Sequence, residues 1–339
     1  MLKEIISNKR LLRKWSLITL AMLPSIVIGS TLGHWELSQL VLLSASLYSI
    51  QTQSKWGVGA IIFHEVVILA GLYLLTYSLF SPLAFAITCT LFAGACMGLG
   101  IYNPELRKLG SWILIPALYM TIDFQGSNIL HSVDSNVWFA LQLFAVAALG
   151  PVLVCLFNYI LEEDNSKSSL WGFNNVFTAK TDVSAIWTVI GIMVAVFVSS
   201  IFVQWLKIPH AEWVIWSTIS VSTGDMTSMH RKLAHRVTGA LVGMIFGVSL
   251  VVVLQLVSPL FFELAGILIP FTLFIKRYPL AYASRCTLIA LAAGALVHGT
   301  SVAEFRMLNV LIGGILGVLC AYLAAYMANK YHHKHPVSD

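Results

Sequence analysis

Charge is what this sequence has least of. Asp, Glu, Lys and Arg make up 10% of its 339 residues, where a soluble domain carries roughly 25%. A chain so poor in charge cannot keep most of its surface in water, which excludes an ordinary soluble globular protein. Long polar segments are missing as well. The longest runs from about 161 to 182, too short to build a core of its own. Cysteines are few, and no two are spaced Cys-x-x-Cys. Cys89, Cys96, Cys155, Cys286 and Cys320 all fall in apolar runs, where they read as small buried hydrophobes rather than disulfides or metal ligands. There is no phosphate-binding Gly-Lys-Ser/Thr loop, no Gly-x-Ser-x-Gly, no dinucleotide fingerprint and no metal-ligand cluster in the sequence. Neither an enzyme nor a cofactor or metal is therefore expected.

What the sequence has in abundance is apolar length: 58% of residues are hydrophobic. A spanning helix needs about 20 apolar residues, so the expected fold is an all-α polytopic membrane protein with roughly ten to twelve transmembrane helices. Candidate spans lie near 15–32, 36–50, 57–79, 82–101, 111–122, 136–160, 183–205, 211–224, 237–257, 260–275, 280–298 and 307–328. The pieces near 36–50, 111–122 and 260–275 are short enough to be half-spans or tilted hairpins. The basic N-terminal stretch precedes an apolar run without a small-residue cleavage site before Gly33-His34-Trp35, so it reads as a cytoplasmic anchor rather than a removable signal. With the N-terminus inside, alternation places 18 of the 20 Lys and Arg residues in inside loops and leaves Lys207 and Arg306 outside. Positively charged loops stay in the cytoplasm, so both termini are expected there. The formal charge of +5 is accounted for by this topology, and no nucleic-acid partner is expected.

Six spans on each side of the polar stretch 162–182 give two similar halves, residues 1–161 and 183–339, joined by a cytoplasmic linker. Equal span counts give both halves the same orientation, a parallel repeat. Trp35 and the run Lys55-Trp-Gly-Val-Gly59 recur as Trp213 and His235-Arg-Val-Thr-Gly239 at nearly the same spacing. Gly94 and Gly98, then Gly239, Gly243 and Gly247, then Gly313 and Gly317 repeat every four residues. Small residues at that period lie on one helix face and let two backbones approach in lipid, so these are expected packing seams. They would also permit a homo-oligomer.

Ionisable groups inside apolar spans are costly and each is a candidate for function. His64 and Glu65 lie deep in the third span and are candidates for carrying a proton. Alternatively, they are a polar pair that only bonds neighbouring helices. Asp225, Arg231, His235 and Arg236 fall just before a Gly-rich span, at a predicted cytoplasmic mouth. A helix N-terminus there favours an anion, and an Arg beside it could grip a carboxylate. The plainer reading is positive-inside anchoring. Thr238 lies beside them, and Trp213 and Trp216 either belong to the interfacial aromatic belt or stack on an aromatic substrate. Arg306, on the outer side, is expected to pair with Glu304.

The second half resembles a known family. Trp213 in a second span, Asp225 and Arg231 in the following loop, then Arg236-Val-Thr-Gly239-Ala-Leu-Val-Gly243, Tyr278, Tyr282 and Arg306-Met-Leu-Asn-Val-Leu-Ile-Gly313-Gly314 are similar to the fusaric acid resistance family of inner-membrane proteins. In that family an Arg-x-x-Gly-Thr-x-x-Gly type motif opens a span. Here the Thr precedes the Gly. The likeness covers about 140 residues and is weak in the first half. The short linker matches compact members that lack a large cytoplasmic domain. The resemblance implies a bacterial inner-membrane exporter of small organic anions, typically aromatic acids, driven by the proton gradient and working with a periplasmic adaptor. A passive anion channel and a membrane scaffold or enzyme subunit are the alternatives.

Overall fold

A computed structural model describes residues 2–32, 40–49, 57–126, 133–161, 183–222, 226–254, 260–293 and 299–334. Among them are twelve α-helices and no strand. In chain order these are α1 Leu2–Leu32, α2 Leu40–Ser49, α3 Val58–Ser78, α4 Pro82–Tyr102, α5 Pro104–Gly126, α6 Val133–Leu161, α7 Val183–Trp205, α8 Ala211–Ser222, α9 Met226–Leu254, α10 Leu260–Leu268, α11 Tyr278–Ala293 and α12 Gly299–Lys334. A 3₁₀ segment, Ile269–Phe274, extends α10. Six helices (α3, α4, α6, α7, α9 and α12) contain stretches long and apolar enough to cross a bilayer. The chain is thus a multi-pass membrane protein. The 12 residues of α8 reach only about 18 Å, against a hydrocarbon core of about 30 Å. It is a half-span held inside protein.

Most sequence-predicted boundaries hold within a few residues. Three do not. The short piece at 111–122 is the middle of α5, which starts at once after α4 because Pro104 opens a new helix at its first position. Nothing in Met226–Val237 breaks a helix, so α9 begins about eleven residues ahead of the expected start. The last helix likewise starts at Gly299, ahead of Arg306.

The two sets of six helices pair alike. In one, α1 packs on α6, α3 on α5 and α6, and α4 on α5. In the other, α7 packs on α12, α9 on α11 and α12, and α10 on α11. Between them, α4 packs on α7, while Trp15 of α1 meets Phe271 beyond α10.

Hydroxyls and missing side chains close the seams. Pro116 and Pro151 have no N–H to give the carbonyl four residues earlier. Those freed carbonyls, Trp112 and Ala147, accept hydrogen bonds from Ser46 (2.8 Å) and Ser44 (2.8 Å) of α2. Ser44 also bonds Ser25 of α1. In the second half Ser217, Thr218 and Ser222 of α8 donate to the carbonyls of Val310, Gly313 and Gly317 at 2.9, 2.9 and 3.1 Å. This approach needs glycine on α12, since a Cβ at Gly317 would lie 2.6 Å from the Thr218 carbonyl oxygen. Gly239, Gly243 and Gly247 face α11 in the same way, and Gly94 faces Met193 of α7. Gly98 has nothing within 4 Å. The predicted seams are therefore real except at Gly98, and all five cysteines are buried free thiols.

Candidate anion site

Helix α8 runs through the centre of the second half, and ten of its residues are buried. It packs on α5, α7, α9 and α12. Polar side chains from those neighbours converge on it at two levels.

At the end nearer α9, Arg236 is 3% exposed. It lies about three turns inside α9, which corrects the expectation that it sits at a helix N-terminus. Its Nη1 donates to Ser220 at 2.8 Å, and its guanidinium lies 4.8 Å from the centre of the Tyr282 ring. Tyr278 stacks on Tyr282, with ring centres 6.1 Å apart, and His235 tilts against Tyr278. The Arg236 Nε and the Tyr282 hydroxyl are buried with no partner.

At the end where α8 begins, Arg306 is 4% exposed. Its guanidinium lies 4.7 Å from the centre of the Trp213 ring, and Tyr119 reaches it from α5 in the other half. Nε and Nη1 of Arg306 have no partner. Glu304 is exposed, so the expected ion pair with Arg306 does not form. Residues two apart on a helix point in different directions. The buried acid at this end is Glu212, in the first turn of α8, 3.5 Å from His210. His210 stacks on Trp213 at 4.4 Å. The turn before α8 holds Lys207 and His210 at positive φ, 51° and 55°. Asn309 fixes that turn, donating to the carbonyls of Pro209 (2.7 Å) and His210 (3.1 Å).

Arg285 lies near both arginines and donates to Thr272 at 3.1 Å. None of Arg236, Arg285 and Arg306 forms an ion pair with an acid among the described residues. A buried charge without a counter-charge is strongly unfavourable. Three arginines thus lie close to Tyr282 with no acid bonded to them among the described residues.

Residues 198–320 match the fusaric acid resistance protein-like family. No curated protein and no solved structure matches the chain. The matched segment holds α8 to α11 and most of α12, and with them all three arginines, Trp213, Tyr278 and Tyr282. The match supports membrane transport as the class of activity. Tyr119, His64 and Glu65 lie outside it.

Other residues singled out in the sequence are dispersed. Arg231 is exposed. Thr238 is exposed too, and its hydroxyl is spent on the Ala234 carbonyl at 2.8 Å. Trp216 is half-buried against a core cluster that both halves build. Trp213 is buried rather than interfacial, and it already carries His210 and Arg306. Trp205, 81% exposed, fits an interfacial belt. Asp225 lies outside the described residues. His64 is buried and Glu65 half-buried on α3. Adjacent helix residues do not face each other, so His64 and Glu65 meet different neighbours. His64 lies near the backbone of Trp112, but neither of its ring nitrogens has a hydrogen-bond partner. One Glu65 carboxylate oxygen is buried without a partner.

Sequence reasoning passed over Arg306, Tyr119 and Arg285 as binding residues. Arg306 did leave a signal: it broke the inside rule for positive charge. Tyr119 left none, because its role depends on α5 crossing to α8.

Proposed function

We propose that this chain is a bacterial inner-membrane exporter subunit for small organic anions, aromatic carboxylates above all. Transport is coupled to proton entry and works with a periplasmic adaptor. The observation that carries the reading is Arg236: buried in the segment similar to the fusaric acid resistance family, flanked by Tyr278 and Tyr282, and keeping one donor nitrogen unpartnered. A guanidinium beside tyrosine faces suits a carboxylate on an aromatic ring, since the charge meets the carboxylate and the rings meet the apolar body. Glu65 is the group assigned to the proton. It is an intramembrane carboxylate remote in sequence from the arginines, so proton and anion need not compete for one place. The adaptor and the cytoplasmic termini rest on the family likeness and on the distribution of Lys and Arg.

The test is uptake of labelled benzoate into inverted vesicles carrying wild type, Glu65→Gln or Arg236→Ala. Uptake abolished by an uncoupler and by either substitution supports coupled export. Uptake that survives both the uncoupler and Glu65→Gln makes the protein a passive anion conduit. Uptake indifferent to Arg236→Ala removes the proposed substrate site.

A further inference from the structure

Arg306 is a second buried cation that the Arg236 site does not use. Its expected partner Glu304 faces outward, and two of its nitrogens have no partner. Its position is nevertheless fixed. The Trp213 ring supports the guanidinium, Tyr119 reaches it from α5, and Asn309, one turn further along α12, ties the helix to the turn before α8. A side chain held this firmly, with spare donors and no acid bonded to it, is arranged to meet an anion that arrives from elsewhere. Glu212 does not fill that place, since Arg306 forms no ion pair with it.

Arg306 and Arg236 reach α8 at Trp213 and Ser220. Those residues are two helical turns apart, about 10 Å along the axis. Tyr282 lies under Arg236 and within the field of Arg306.

We infer that Arg306, with Tyr119 and Tyr282, forms a second carboxylate site, two turns along α8 from Arg236. This deepens the exporter reading and rests on it: the same small monocarboxylate would occupy two places in succession through the centre of the second half. Two cations at this spacing let an anion leave one guanidinium for another without crossing an uncompensated apolar stretch. Two anions bound together repel each other, which favours release.

The experiment is equilibrium binding of labelled benzoate to the purified full chain in lipid nanodiscs, with uncharged methyl benzoate as the control. Wild type is expected to bind two equivalents of benzoate and none of the ester. Arg306→Gln and Arg236→Gln are each expected to keep one, and the equivalent each retains shows that the variant is folded. Tyr119→Phe, a milder change, should weaken one of the two equivalents about tenfold, the loss of one hydrogen bond to a charged group. One equivalent in wild type, lost in Arg236→Gln and unchanged in Arg306→Gln, overturns the second site and leaves the exporter reading standing. Loss of all binding in either variant with an unchanged unfolding midpoint merges the two into one site and also overturns it. No benzoate bound by wild type, or the ester bound as well as the acid, overturns both.

Discussion

The two halves meet the same problem, polar groups inside apolar helices, with opposite chemistry. In the first, the place where α2, α3 and α5 meet holds Ser46, His64 and the Trp112 carbonyl, groups that can all be neutral. In the second, the place where α8, α9 and α11 meet holds Ser220, Arg236 and Tyr282, and the arginine cannot shed its charge. A neutral group buried without a partner, as both His64 ring nitrogens are, costs far less than a buried charge. A permanent cation without a bonded acid leans on neutral partners, Ser220 and the Tyr282 ring, and its Nε has no partner. On the exporter reading, the second half then supplies the anion site while Glu65 of the first half serves the proton.

The comparison can be broken hardest at the seams. Gly243→Leu would drive a side chain into the Ala283 backbone, whereas Gly98→Leu enters open space. The first is expected to lose the folded protein and the second to leave it unaffected, as read by thermal unfolding in detergent; a backbone clash cannot be relieved by choosing another rotamer. Next in size is the charge itself. Arg236→Ala should lower benzoate uptake about 100-fold, the equivalent of roughly 2 to 3 kcal/mol for a charge-assisted contact. His64→Ala should lower it by less than tenfold, and equal losses would erase the distinction between the halves. Arg306→Met should raise the unfolding midpoint without ligand while removing the added stability that benzoate gives, because a buried unpaired charge costs more than the methionine that replaces it. A lowered midpoint would show that Arg306 is satisfied within the protein. The smallest effect concerns the proline-freed carbonyl. Ser46→Ala should destabilise by about 0.6 to 1 kcal/mol, the usual worth of a hydrogen bond between helices in lipid. Adding Pro116→Ala should recover part of that loss, because the restored N–H can bond Trp112 itself.

Much of the fold was legible because lipid leaves the sequence few choices. Apolar runs have to become helices that satisfy their own backbone, and glycines four apart marked close approach everywhere but at Gly98. The start of α9 was misread because charge in 230–236 resembled a loop, although no residue there interrupts a helix. Arg236 was found for its charge but given the wrong setting, a helix end instead of a helix interior.

The sequence by itself determined that the chain crosses a membrane many times, where most of its helices run, and which of them pack through glycine. These follow from composition and from short-range periodicity. Only the tertiary structure decided that Arg306 turns away from Glu304 toward Trp213, that Tyr119 crosses from the first half to reach it, and that Ser46 answers a carbonyl freed by Pro116. Each of these joins residues 66 or more positions apart, and local pattern carries no information about which distant helix a side chain will face.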